Sequence, residues 1–471
     1  MPVSPAYRPD PRFAALGPEF SDPVAPADFP QAILRHRNQR AAATVGLDRL
    51  TDAEWLAHFA RFEPLPDNQP QPLAMRYHGH QFRSYNPQIG DGRGFLFAQL
   101  READTGRLLD LATKGSGQTP YSRTADGRLT LKGGVREILA ATMLEAQGVP
   151  TSRAFSLVET GEALMRGDEP SPTRSAVLTR LSHSHIRFGS FQRHAYFDRA
   201  DLVGQLAEHA LSTYFPAVDA TDPGAALMRE AVAATARLTA RWMAAGFVHG
   251  VLNTDNMVVT GESFDYGPWR FLPRSDPSFT AAYFDHSGLY AFGRQPASAF
   301  WNLEQLGGCL AMIASPEVLI PILEGFGPAY RSELAKAIVE RLGVVPRGDD
   351  ENAALAQSVF AGLEGGDDVL RWEPLFHDWW GGAAAQARAL SRPRAALYAA
   401  EPFATFRRLI ADYTAAHPGR LTDPLIEADQ PQEMLIDEVE AIWAAIDARD
   451  DWSPLAAKLE RLEAVRTLRY G

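Results

Sequence analysis

The densest run of chemically competent side chains is Phe247-Val248-His249-Gly250-Val251-Leu252-Asn253-Thr254-Asp255-Asn256, followed by Asp265-Tyr266-Gly267. Kinase-like catalytic loops read H-x-D-x-x-x-x-N and continue to a metal-binding Asp in a D-F-G turn. Asn256 and Asp265 supply hard oxygen donors, which suit Mg2+ held together with phosphate. The position where such a loop keeps its base, two residues after the histidine, is Val251, which has no acid–base chemistry. The nearest carboxylate is Asp255, immediately before Asn256. Two readings stay open: a chain that does no chemistry, or one that attacks a different phosphorus from a different direction. A third is a polar loop shaped only by Asx turns.

Upstream residues add phosphate chemistry. Gln88-Ile89-Gly90-Asp91-Gly92-Arg93-Gly94 stands directly before a strand-like run. A glycine-rich loop before a helix would suggest a Rossmann or Walker site, and this one precedes a strand instead. Kinases cover ATP phosphates with such a turn; a plain turn is the alternative. Gly90 and Gly92 allow close backbone approach and positive φ. Lys114 ends LLDLATK and can reach phosphate as a compact point charge. Glu137, in an expected helix, follows in the order of a strand-lysine and helix-glutamate pair. Arg180, expected to point outward from a strand, and Arg187 offer bidentate phosphate contacts or are surface charges. His78 and His80 have the spacing of neither a helix-borne metal site nor a dyad. No G-x-S-x-G elbow occurs, and Trp379-Trp380 reads as core or lid.

These side chains need a scaffold. The first 30 residues are Pro-rich and expected to wrap a surface, and residues 31–62 read as helices, with a Thr51/Glu54 capping box. Residues 63–75 read as a linker. Two strands are expected over 94–114, joined at Asp104-Thr105-Gly106. A helix over 131–147 closes at Gly148 and Pro150. Strands return at 153–159, 163–166 and 176–181. From 198 the pattern is helical, with Asp222-Pro223 starting a helix that stops at Gly246. A short β-like section spans 247–285, with a strand–turn–strand around Gly261 between Asn256 and Asp265. Residues after 297 read as helix. The class is α+β, a bilobal protein-kinase-like fold: residues 1–75 a partly helical N-terminal extension, 76–195 a β-rich N-lobe, 196–310 a helical C-lobe and 311–471 a helical C-terminal extension.

Composition sets the outer limits. The chain has 471 residues, 45% hydrophobic and 22% charged, an ordinary globular balance. Lys+Arg is 46 against Asp+Glu 58, and the net charge of −12 argues against a nucleic-acid surface. It leaves room for a local phosphate site. Only four basic residues are lysines and 42 are arginines, the pattern of a GC-rich genome. Cys309 is the single cysteine, so no intrachain disulfide, CxxC pair or cysteine zinc site can form. That composition suits a reducing compartment. The start, MPVSPAYRPDPRF, lacks an apolar signal core. The longest apolar stretch, Leu306 to Leu323, contains Pro316 and Glu317 and reads as no membrane span. The expectation is a cytoplasmic protein with neither nucleic-acid nor membrane partners.

The blocks KGSGQTPYSRTADGR, REILAATMLEAQGVPTSRA, LTRLSHSHIRFGSF, HGVLNTDNMVVTGESFDYGPWRF and FDHSGLYAFGRQPASAFWNL occur in that order over roughly residues 75–310. Together they resemble the selenoprotein O (YdiU) family. The resemblance implies a pseudokinase fold that binds ATP in reversed orientation and transfers AMP to protein hydroxyls. Transfer of UMP with Mn2+ is also attributed to members. It implies that Lys114 and Arg180 hold buried phosphates, with Glu137 orienting Lys114. Gly90, Gly92, Arg93, Asp126, Gly127 and Arg187 would line the ATP site. Asn256 and Asp265 would bind Mg2+ or Mn2+, with Asp265 also at the ATP, and Asp255 would accept the proton. The partners implied are ATP and proteins carrying hydroxyl side chains. A kinase-like phosphotransferase and an inactive ATP-binding scaffold are the rival functions.

Overall fold

A computed structural model describes residues 3–167, 169–365 and 370–471. Residues 1–2, 168 and 366–369, parts of the expected N-terminal extension, N-lobe and C-terminal extension, lie outside the described residues. The strands are β1 (Ser21–Pro23), β2 (Ile33–Arg37), β3 (Leu73–Met75), β4 (Gly79–Gln81), β5 (Ser84–Asn86), β6 (Leu96–Arg101), β7 (Leu108–Lys114), β8 (Leu129–Thr130), β9 (Arg153–Leu164), β10 (Thr173–Ser182), β11 (Phe247–Val248) and β12 (Arg270–Phe271). The main sheet is antiparallel in every pairing, in the order β1-β3-β6-β7-β10-β9-β2, with β8 on β10. β6 and β7 are buried on both faces, hence their mostly apolar runs, and the buried Gln99 and Asp110 within them bond to each other at 2.7 Å. Leu96, Leu108, Leu157 and Leu178 pack with α3 (Leu131–Ala146). Phe97, Leu109, Phe155 and Val177 pack with Trp55 and Phe59 of α2 (Asp52–Phe59).

Three expectations about the main sheet are corrected. The stretch 31–62 is not all helix: β2 precedes α1 (Gln39–Thr44) and α2, because the outer edge of β9 takes Ile33 and Leu34 opposite Glu159 and Val158. The 63–75 linker ends in β3, which pairs with β1 from the Pro-rich leader. The strands expected at 153–159 and 163–166 are one strand, passing through Gly161 at φ 76°. The β6–β7 turn forms as expected, with Gly106 at φ 72°.

The helices follow their capping signals. The Thr130 side chain accepts from Gly133 N to start α3, and Gly148 follows its end at φ 75°. The Asp222 side chain accepts from Ala225 N to start a helix over Pro223–Ala245, which Gly246 stops in the left-handed region. The section after it holds only the β11–β12 pair. Gly261 makes the expected turn at φ 68°. Its flanks do not pair with each other, since Val258 bridges Arg187 and Ser263 bridges Thr151. Helices dominate from Gln295 to the C-terminus, and the last, Ser453–Tyr470, packs on α3. Trp379 and Trp380 are core residues. Among the described residues no helix is long and apolar enough to cross a membrane.

Candidate active site

The register of the sheet assembles the first two cations. Lys114 stands opposite Leu178, and Arg180 lies two residues further along β10. Period-two alternation puts Arg180 on the Leu178 face, the one covered by α3. Arg180 therefore points inward and is only 4% exposed, which corrects the outward orientation expected for it. Lys114 Nζ donates to Glu137 Oε1 at 2.5 Å and to Asp265 Oδ1 at 2.8 Å. Arg180 Nη1 donates to the same Asp265 oxygen at 2.8 Å.

Arg187 completes the cluster. Its Nη1 donates to Asp265 Oδ2 at 3.1 Å and to the main-chain carbonyl of Asp255 at 2.6 Å, and its Nη2 reaches Asp91 Oδ1 at 3.2 Å. The guanidinium lies 4.6 and 4.7 Å from the ring centres of Tyr77 and Phe264. Asp265 thus meets three cations, at φ 60°, a left-handed conformation that Asp tolerates better than most residues. Burial alone would raise its carboxyl, but Lys114, Arg180 and Arg187 hold it well below the usual range. Burial does prevail at Asp255, whose carboxyl rises to about 6 against the pull of Arg187. Asp255 Oδ1 is buried without a hydrogen-bond partner. Asn256 donates its Nδ2 to the Val251 carbonyl at 2.9 Å. Buried His249 bonds through Nε2 to the Phe264 carbonyl at 3.0 Å, which ties the Asp255 loop to the Asp265 loop.

None of Gly90, Gly92 and Gly94 has a positive φ, so conformational freedom is not why they are glycines. Close approach is. A Cβ on Gly90 would lie 2.5 Å from the Tyr121 ring, and one on Gly94 would lie 2.5 Å from the Thr113 carbonyl. The segment around Tyr121 packs onto the loop, with Thr119 Oγ1 donating to the Asp91 carbonyl at 2.6 Å. Arg93 is exposed, and its carbonyl accepts from Gly115 N at 2.7 Å. Asp126 pairs with Arg166 at 2.8 Å, and Gly127 at φ 71° lies against the Gly117 carbonyl. Gly90, Gly92, Arg93, Lys114, Asp126, Gly127, Arg180, Arg187, Asp255, Asn256 and Asp265 all line one open cleft of about 760 Å3. Glu137 lies beside it, on an adjoining cavity of about 260 Å3 shared with Lys114.

A sequence model of the family described as protein adenylyltransferase SelO matches residues 6–463. The chain belongs to the SelO family. Proteins named protein nucleotidyltransferase YdiU from Synechococcus elongatus and Gloeobacter violaceus are 43% and 44% identical to it, over 96% of this chain and 94% of each relative. One from Synechocystis is 51% identical over 71% of this chain and 70% of its own length. Membership places this SelO-family chain among the nucleotidyltransferases.

The cleft of this SelO-family chain has donors for a metal. The amide oxygen of Asn256 and the Asp265 carboxylate are both hard oxygens on the cleft. Among the described residues no group of three or more His, Cys, Asp or Glu side chains forms a ready-made cage.

Sequence reasoning missed several lining residues. Asp91 was visible inside the glycine run, but its partnership with Arg187 depends on a contact 96 residues away. Arg166 carried no signal among 42 arginines. Tyr77 lines the cleft and Phe264 packs behind it against Arg187, and both are aromatics of a kind that any core contains.

Proposed function

We propose that this chain transfers AMP from ATP to Ser, Thr or Tyr hydroxyls of proteins, with release of pyrophosphate, on a bilobal kinase-like fold. The observation that carries the reading is the convergence of Lys114, Arg180 and Arg187 at the buried end of the cleft, facing Asp265 and Glu137. Glu137, Asp265 and Asp91 balance these three cations here, and the terminal phosphates of ATP would take over as partners of Lys114 and Arg180. With those phosphates deepest, the α-phosphorus lies nearer the mouth of the cleft, where a hydroxyl can attack it. This accounts for Val251 in place of the usual kinase base.

The chemistry balances as a displacement at phosphorus. A new bond joins the substrate oxygen to the α-phosphorus as the bond to the pyrophosphate oxygen breaks. Asp255, whose carboxylate lines the cleft, accepts the hydroxyl proton. Lys114 and Arg180 hold the departing pyrophosphate, and Glu137 fixes the position of Lys114. Gly90, Gly92, Arg93, Asp126, Gly127 and Arg187 line the nucleotide. Mg2+ or Mn2+ held by Asn256 and Asp265 would supply charge neutralisation at the phosphates.

Incubation of the chain and a protein substrate mixture with ATP labelled at the α- or the γ-phosphate tests this. Label entering protein from the α-position alone is expected. Label from the γ-position alone would identify a kinase-like phosphotransferase, and label from neither, with ATP bound, a scaffold. Repeating the assay with UTP and Mn2+ tests UMP transfer.

A further inference from the structure

A second cavity, of about 420 Å3, gathers arginines from five separate segments. Arg40 comes from α1, Arg107 from the turn before β7, Arg153 from the start of β9, Arg237 and Arg241 from the helix Pro223–Ala245, and Arg466 from the C-terminal helix. Arg237 and Arg241 are one helical turn apart and share a face. The lining includes only two carboxylates, Glu145 and Glu262. Arg40 pairs with Glu145 of the lining and with Glu463, and Glu102, Glu340 and Glu463, which do not line the cavity, pair with Arg107, Arg153, Arg241 and Arg466. Arg237 is exposed and has no ion-pair partner among the described residues. Burial also raises the Glu262 carboxyl to about 7, which reduces the negative charge within the cavity near neutrality.

Carboxylates hold five of the six guanidiniums, and Arg237 is left to meet an anion or solvent, with the other forks around it. Guanidinium forks match the oxygens of phosphate groups, and several around one cavity favour a ligand with several charges. The cavity adjoins the back of the catalytic loop. Its Thr151 bonds through the hydroxyl to Tyr266, the neighbour of Asp265. Ser263 N donates to the Pro150 carbonyl at 2.9 Å, and Glu262 Oε2 accepts from His183 N at 2.6 Å.

We propose that this arginine-lined cavity binds a small free polyphosphate ion at a site separate from the ATP cleft. Calorimetric titration of the full chain with inorganic pyrophosphate tests it, using wild type, Lys114→Ala and the double variant Arg237→Glu/Arg107→Gln. The cavity variants change exposed side chains, so folding should persist, and an unchanged melting temperature checks this. Lys114→Ala should retain a pyrophosphate site. The double variant should bind pyrophosphate there at least about tenfold more weakly while keeping its ATP affinity. Arg237→Ala, which removes an unpaired side chain, should show the same trend to a smaller extent. Loss of all pyrophosphate binding in Lys114→Ala, or unchanged binding in the double variant, would overturn the proposal.

Discussion

Lys114 Nζ sits 2.8 Å from Asp265 Oδ1, joining the end of β7 to a loop 151 residues further along the chain. The same ammonium reaches Glu137 at 2.5 Å, so one side chain compensates two buried carboxylates. Removing it leaves Glu137 with only Arg180, 4.0 Å away, while Asp265 keeps Arg180 and Arg187; breaking a buried pair from one side typically costs about 3–5 kcal/mol. Lys114→Met should therefore lower the melting temperature by several degrees and reduce AMP incorporation by at least about 100-fold. Calorimetry and incorporation of α-labelled ATP check the two effects separately. Activity within threefold of wild type would remove Lys114 from its assigned role.

Asp255 gives a pH-dependent prediction. Its carboxyl rises in the folded chain to about 6, chiefly through burial, against an ordinary value of about 3.9. The folded chain therefore holds this proton more tightly than the unfolded chain. Below about pH 4 both states are protonated and the group is neutral to stability. Between about pH 4 and 6 a penalty develops, and above 6 it is constant at about 2–3 kcal/mol. Asp255→Asn has no charge to bury. In metal-free buffer it should be more stable than wild type by roughly that amount at pH 7.5 and by almost nothing at pH 4, while AMP transfer is lost. Urea unfolding at the two pH values measures this. A gain of the same size at both would show that buried charge is not its source.

The glycine loop yields a double-mutant test. A Cβ on Gly90 would lie 2.5 Å from the Tyr121 ring, which is anchored by a hydroxyl bond to Asp22. Gly90→Ala should displace the loop from the cleft and weaken ATP binding about tenfold. Tyr121→Ala removes the obstacle, so the double variant should bind ATP more tightly than Gly90→Ala alone. Fluorescence titration with ATP reads the coupling. Strictly additive losses would mean that the loop does not rest on Tyr121.

The sequence was most legible where a local rule acts alone. The β6–β7 turn, the caps at Thr130 and Asp222 and the stop at Gly246 each depend on a few neighbouring residues. It was least legible where pairing is long-range. Nothing within Ile33–Arg37 announces a strand, because its partner is the edge of β9 more than 100 residues later. The cleft divides the same way. Lys114, Glu137, Asn256 and Asp265 have motif spacing. The inward course of Arg180 depends on α3 covering that face of β10, and the Arg187–Asp91 pair depends on a loop that a strand sequence cannot reveal. The rationale for the glycine loop changed too: Gly90 and Gly94 are required by neighbouring atoms and not by their own backbone angles.

Arg187 provides the sharpest contrast between charge and shape. Two of its nitrogens serve three acceptors, the Asp255 carbonyl, Asp265 and Asp91, while its plane lies near Tyr77 and Phe264. A lysine keeps the charge but has neither the fork nor the plane. Arg187→Lys should keep the chain folded yet release either the Asp255 loop or Asp91. Release of the Asp255 loop misplaces the proton acceptor, and a displacement of about 1 Å can cost on the order of 100-fold in rate. The expected result is a kcat for AMP transfer lowered at least about 30-fold, with the KM for ATP changed much less, because Lys114 and Arg180 still hold the phosphates. Steady-state kinetics with ATP varied at a fixed protein substrate give both values. A raised KM with kcat intact would leave Arg187 its place at the nucleotide and remove its role as a brace for the Asp255 loop.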